Sequence, residues 1–198
     1  MNRLLSDVKI TSFHSLKQAI TNLHQTYHIP HIIITSIRFD SSSPTLSIVG
    51  STVRRDGSPR CFRIDVPAID CFFSGTGDMF AALTVVRLRE ATTSAGLHTV
   101  TSWLSPDDVE PVDLPLAKAS EKVLGSMHAI LQKTKKARDE ALADMDPLAL
   151  EKGGKDEKRL SFLMTKAAEV RVVRNLGDLI YPESIFRAQA FEGEMWGN

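Results

Sequence analysis

Apolar residues at Phe13, Leu16, Ile20, Leu23 and Tyr27 recur at helical spacing behind Ser12, a hydroxyl placed to cap a helix, and Ile29-Pro30 ends the pattern. An amphipathic helix is predicted there. The next run, His31 to Ile37, is short, β-branched and nearly all apolar, which predicts a strand covered on both faces by helices in a parallel sheet. Its polar end, Thr35-Ser36, is expected at the carboxyl edge of the sheet, where open α/β sheets place ligands. Two extended segments, Thr45 to Val53 and Arg60 to Val66, flank the turn-forming Arg55-Asp56-Gly57-Ser58-Pro59 and predict a β-hairpin.

A helix is expected from the glycines before Asp78 to about Arg89, apolar nearly all round at first and therefore buried, with Arg87 facing solvent near its end. Residues 91–115 contain glycine, several prolines and little periodicity, and predict a long loop with one short helix around 106–109. Trp103 in this loop is read as a packing anchor, with a ligand contact as the alternative. Leu116, Ser120, Val123, Leu124, Met127, Ile130 and Leu131 form the apolar stripe of a further helix. Charges of both signs dominate residues 133–160, broken by Pro147 and Gly153-Gly154, and predict a helix end followed by a mobile surface insertion. Glu169 to Val173 is expected to be a strand near the sheet edge. No internal repeat is present.

Composition narrows the function classes. The 198 residues suffice for a core and set the expectation of a single domain. With 24 basic and 24 acidic residues, no overall field draws the chain to nucleic acid or to an anionic membrane. No apolar run approaches a membrane span and no secretion signal opens the sequence, so a cytoplasmic protein is expected. Cys61 and Cys71 are too isolated for a disulfide scaffold or a zinc site and are read as reduced and structural. The 6 histidines lack metal-ligand spacing; His24 and His28 are read as helix-end residues, and no metal ligand is assigned.

The strongest chemical signal is Ser74-Gly75-Thr76-Gly77-Asp78, running directly into Met79-Phe80-Ala81-Ala82-Leu83. A helix start leaves backbone N–H groups unpaired and carries partial positive charge, and glycines let an anion approach the main chain without meeting a Cβ. Thr76 adds a hydroxyl, and Asp78 is placed to accept the proton of an attacking alcohol while the amides stabilise a transferred phosphoryl group. Taken alone, the short motif reads more readily as a helix cap, and the surrounding sequence reverses that preference.

The segment from Asp70 to Leu83 resembles the phosphate-binding signature of the pyridoxal kinases, in the ribokinase-like superfamily. Gly-Thr-Gly-Asp is common to the superfamily, while the Met-Phe-Ala-Ala-Leu continuation is similar to the vitamin B6 branch. His31-Ile32-Ile33-Ile34-Thr35-Ser36 and Leu116-Ala117-Lys118-Ala119-Ser120-Glu121-Lys122 resemble that family's Thr-Ser strand and late helix. The resemblance implies an α/β fold holding part of a doubly wound, mainly parallel sheet, with flanking helices and the hairpin. It implies ATP-dependent phosphorylation of the 5′-hydroxyl of pyridoxal, pyridoxine or pyridoxamine in vitamin B6 salvage. Asp78 is then the base, Gly75, Thr76 and Gly77 form the anion hole, and Thr35, Ser36, Phe73, Thr76 and Gly77 border ATP. Mg2+ is expected with the nucleotide, and a homodimer is an open alternative.

The chain departs from the family at its start. Met1 and Arg3 stand where the family's Asn-x-x-Glu-Ala-Glu-Leu-Leu segment has glutamates, and the whole is similar to a C-terminal portion with an abbreviated N-terminus. This predicts an exposed strand edge, uncovered apolar helix faces and weak or absent turnover by these residues alone. Two alternatives stay open: a non-catalytic nucleotide-binding or regulatory protein, and a ribokinase-like kinase for a sugar or pyrimidine alcohol.

Overall fold

The computed structural model describes residues 6–40, 42–143, 165–167 and 169–191. Helix α1 (Phe13–Tyr27) begins at the expected cap: Ser12 and Ser15 exchange side-chain and backbone bonds in a capping box, and His28 closes the helix in the left-handed region at φ 53. Strands β1 (His31–Ile37), β2 (Thr45–Val53) and β3 (Pro59–Pro67) follow, and the two-residue β4 (Gln189–Ala190) returns near the C-terminus. Helix α2 spans Thr76–Ser94, α3 Pro115–Ala143 and the short α4 Leu176–Ile180.

The four strands lie in the order β1-β2-β3-β4, with β1 on an edge. Every pairing among these four strands is antiparallel, so the mainly parallel reading is corrected for this sheet. Residues 38–44 are too short a connection for a crossover, which needs roughly a dozen residues or more. The chain therefore turns back beside β1. The β2–β3 hairpin matches the expectation: Gly57 takes φ +83, Arg54 and Ser58 close the turn, and the Asp56 carboxylate accepts from the Ser58 N–H at 2.8 Å.

Described residues divide between two compact units. The first comprises Met1–Ala68, Thr84–Lys122 and Ser184–Asn198; the second comprises Ile69–Leu83 and Val123–Glu183. In the first, Leu16 and Ile20 of α1 pack with Ile32, Ile37, Val49, Cys61 and Phe191. Burying an aliphatic side chain of this size stabilises by about 1.5–3 kcal/mol, so this cluster is the main apolar attachment of α1. The covered strand is β2, buried from Ser47 to Thr52, whereas β1 is only partly covered. The polar groups on β2 are partnered: Ser47 donates to Asp65 at 2.7 Å, Ser51 meets His24 and Thr52 meets His31.

Helix α2 runs five residues beyond the expected end at Arg89, to Ser94. Its stop is Gly96 at φ +71, with Leu97 N–H reaching back to the Thr92 carbonyl and Gly96 N–H to that of Thr93. Its faces also differ from the reading. Val85 and Val86 are 66% and 53% exposed, while Arg87 is buried at 8% and pairs with Glu90 at 2.8 Å. An apolar surface of α2 is thus uncovered, as expected, but the helix is not buried all round.

The segment before α3 contains 3-10 turns at Thr101–Trp103 and Pro111–Asp113, and residues 106–109 form a turn rather than a helix. Buried Arg60 pins this segment by donating to the carbonyls of Ser105, Pro106 and Val109. Helix α3 starts with Pro115, where a missing N–H costs nothing, and buries Leu116, Ser120, Val123, Leu124 and Ile130 from the expected stripe. Residues 133–143 continue that helix, while the rest of the charged stretch, 144–160, lies outside the described residues, as do Met1 and Arg3. Glu169 to Val173 does not form the expected strand: Glu169 makes a single parallel bridge to Ser74, and a 3-10 turn begins at Val173.

Candidate active site

The turn around Gly75 and the first turn of α2 are built from one short stretch. Gly75 takes φ +87, a conformation that strains any residue with a Cβ, and its carbonyl accepts the Met79 N–H at 3.2 Å. This is the first bond of the helical ladder, so the amides of Thr76, Gly77 and Asp78 precede it and have no intrahelical acceptor. Met79, the residue after Asp78, is buried. Gly75, Gly77 and Asp78 are exposed and Thr76 is half-buried. Among the described residues, no atom lies within 4 Å of where a Cβ at Gly77 would stand. An anion therefore has open access to the amides, with a carboxylate one helical step away. Phe73, leading into the turn, is half-buried beside an exposed Phe72.

The turn is supported from a distant part of the sequence. The Ser74 carbonyl accepts the Val170 N–H at 3.2 Å, and a Cβ at Gly75 would lie 3.7 Å from a Val170 methyl. Sequence periodicity marks Glu169–Val173 as extended but gives no sign of this role.

Thr35 and Ser36 belong to the first unit, and the phosphate-type turn to the second. They form a bulge before the end of β1: Ile34 pairs with Val49 and Ile37 with Ser47, so β1 carries one residue more than β2 across that interval. Both side chains are exposed, and Ser36 adopts φ 58, uncommon for a residue with a Cβ. Bulges re-aim side chains, and strained backbone of this kind clusters at functional sites.

Two histidines, His24 and His31, are tied into the packing of the first unit. His24 is buried, not solvated as a helix-end residue: its Nδ1 donates to the Ile29 carbonyl at 2.6 Å and its Nε2 accepts from Ser51 at 2.8 Å. Burial holds its pKa below the usual value, against an upward pull from the Ile29 carbonyl. His31 links Thr52 to the Ser102 carbonyl, and burial lowers its pKa too, helped by the nearby charges of His24 and Arg60. Cys61 is free and buried, which pushes its thiol up, while Cys71 is free and half-buried with Arg138 donating toward its sulfur at 3.3 Å.

Among the described residues, no three His, Cys, Asp or Glu side chains converge on a point that could hold a metal ion. These residues do not form a protein cage for Mg2+. No described helix is long and apolar enough to cross a membrane.

Two curated proteins of Schizosaccharomyces pombe, each named "Putative pyridoxal kinase", align with the chain. One is 30% identical over 96% of this chain and 52% of its own length; the other is 28% identical over 66% and 38%. The chain is similar to these two proteins. It spans about half the length of the first of these relatives. No protein-family model matches it. Among solved structures, pyridoxal kinase from Leishmania donovani in complex with ADP and pyridoxine superposes with a TM-score of 0.57 at 20% identity, over 95% of this chain and 48% of that one. The ADP complex of the same enzyme gives 0.59 at 20% identity, over 96% and 49%. Plasmodium falciparum PdxK, with the ligands AMP-PNP and PL, gives 0.55 at 14% identity, over 96% and 46%. The shared α/β fold is that of pyridoxal kinases, even though the described strands pair antiparallel.

Proposed function

We propose that the chain carries the phosphoryl-transfer half of a vitamin B6 kinase, catalysing or supporting ATP-dependent phosphorylation of the 5′-hydroxyl of pyridoxal, pyridoxine or pyridoxamine. The observation that carries this reading is the Gly75 turn at φ +87, which opens α2 with Asp78 in its first turn. The substrate alcohol attacks the γ-phosphorus of ATP and forms the new O–P bond. The bond from that phosphorus to the bridging oxygen breaks, and ADP leaves. Asp78 takes the alcohol's proton, and the amides of Gly75, Thr76 and Gly77 stabilise charge on the equatorial oxygens.

Thr35, Ser36 and Phe73 are the further nucleotide contacts in this reading, and Mg2+ accompanies ATP. The ADP, AMP-PNP and pyridoxine named with the similar structures support the substrate classes. A cytoplasmic place in B6 salvage, one ribokinase-like domain portion and a homodimer complete the proposal.

The test is MgATP-dependent formation of pyridoxal 5′-phosphate by the purified chain and by Asp78→Asn, with ATP binding measured on both. Product that disappears in the variant while ATP still binds is the expected result. Equal turnover by the variant overturns the role of Asp78. A folded chain that binds ATP and makes no product replaces catalysis with nucleotide binding.

A further inference from the structure

The geometry around the Gly75 turn points to a positioning element that lies about a hundred residues downstream in sequence. The Ser74 carbonyl is bound by the Val170 N–H, and the next residue, Arg171, is held through both its backbone N–H and its carbonyl. Its N–H donates to the Thr134 hydroxyl of α3 at 3.4 Å, and its carbonyl accepts from the Asn175 amide at 2.7 Å. Thr134 is fully buried. All of these residues belong to the second unit.

We propose that residues 169–171, clamped by Thr134 and Asn175, set the position of the phosphate-binding turn, so that Thr134 and Asn175 are positioning residues for ATP. The inference rests on the proposed nucleotide site. Its physical logic is that a turn at a helix start has few bonds of its own. Gly75 is conformationally permissive, and the residue before it, Ser74, is exposed. The backbone bond to Val170 fixes Ser74, and the Val170 methyl lies within contact distance of where a side chain at Gly75 would project. That bond holds its place only if Val170 does, and Thr134 and Asn175 hold the backbone of the next residue, Arg171. Donors aimed at a phosphate lose value when their geometry loosens, because orientation carries much of the electrostatic benefit.

The test compares Thr134→Val, which keeps the side-chain shape and removes the hydroxyl, with Thr134→Ser, which keeps the hydroxyl, and with Asn175→Ala. Each is measured for binding of ATP and of adenosine, which shares the base and ribose but has no phosphates. Amide hydrogen exchange at Val170 and Met79 is followed on the unliganded chains. The expected result is a loss of ATP affinity of roughly two- to tenfold in Thr134→Val and Asn175→Ala, the scale of one hydrogen bond, with adenosine unchanged and Thr134→Ser close to wild type. Exchange at Val170 and Met79 accelerates in the two weakened variants.

Equal losses for ATP and adenosine indicate general destabilisation and overturn the clamp, as does an unchanged ATP affinity. Should the wild-type chain bind neither ligand, the proposed function falls, and the exchange data decide the clamp separately. Faster exchange in Thr134→Val but not in Thr134→Ser supports it, and unaltered protection refutes it.

Discussion

Replacing Gly125 with alanine pits helix propensity against tertiary packing, and the two predict opposite signs. Gly125 lies inside α3, where alanine is favoured over glycine by about 1 kcal/mol. At this position a Cβ would run into the Glu183 carbonyl oxygen, with the carbonyl carbon 3.4 Å away. The obstacle is backbone and cannot rotate aside, so residues near 183 must retreat from α3. Retreat endangers the neighbouring Ser126 hydroxyl bond to the Asp178 carbonyl, which is 2.6 Å long. Overpacking costs about 1–3 kcal/mol and the lost bond about 1 kcal/mol. The Lys133–Asp178 pair adds little, since Lys133 is 56% exposed. Set against the propensity gain, the expected net loss is about 1–3 kcal/mol. In urea unfolding this is a fall in midpoint of roughly 0.5–1.5 M at an ordinary slope. Ser126→Ala should cost less in the Gly125→Ala background than in the wild type, because the bond it removes is already weakened. A midpoint at or above wild type, or fully additive losses, would refute the reasoning.

Gly50 is a second such position: it pairs with Phe62 across the hairpin, and a Cβ there would overlap the Phe62 ring, which is fully buried. Gly50→Ala is expected to lose about 1–3 kcal/mol by urea unfolding, and part of that loss should return when Phe62 is also changed to leucine. Stability should also fall with acid. His24 and His31 have folded pKa values below 6.5, mainly through burial, so the unfolded chain binds protons more readily. Their contribution is full above 6.5 and is lost as pH falls below it toward the lower folded values. The check is the titration of the His24 ring by NMR beside urea midpoints across this window. A His24 midpoint at or above 6.5, or stability that rises as pH falls through the window, contradicts the expected sign.

Local chemistry was readable from the sequence where it is complete within a few residues. Ser12 and Ser15 cap α1 without distant help, and Asp56-Gly57-Ser58 sets its own turn. The Gly75 turn is of this kind too. Readings that depended on what covers an element fared worse. The apolar run of β1 suggested a parallel strand under helices, yet the short connection to β2 forces an antiparallel partner, and the fully covered strand is β2, whose serines and threonine look polar in sequence. Arg87 and His24 look like surface residues by type; the Glu90 carboxylate, and the Ile29 carbonyl with Ser51, supply partners that make their burial tolerable.

The same distinction governs the candidate site. Gly75 to Asp78 contain the proposed donors and carboxylate, so the proposed chemistry is written in consecutive residues. Its precision is not, because the carbonyl of Ser74 finds its donor at Val170, and the backbone of Arg171 beyond it is held by Thr134 and Asn175. No spacing rule links these positions; only folding α3 against the segment that follows it brings them together. A motif can therefore persist unaltered while the orientation of its amides is lost through a change at Thr134. For this reason a binding difference between ATP and adenosine tests the site more sharply than the presence of Gly-Thr-Gly-Asp.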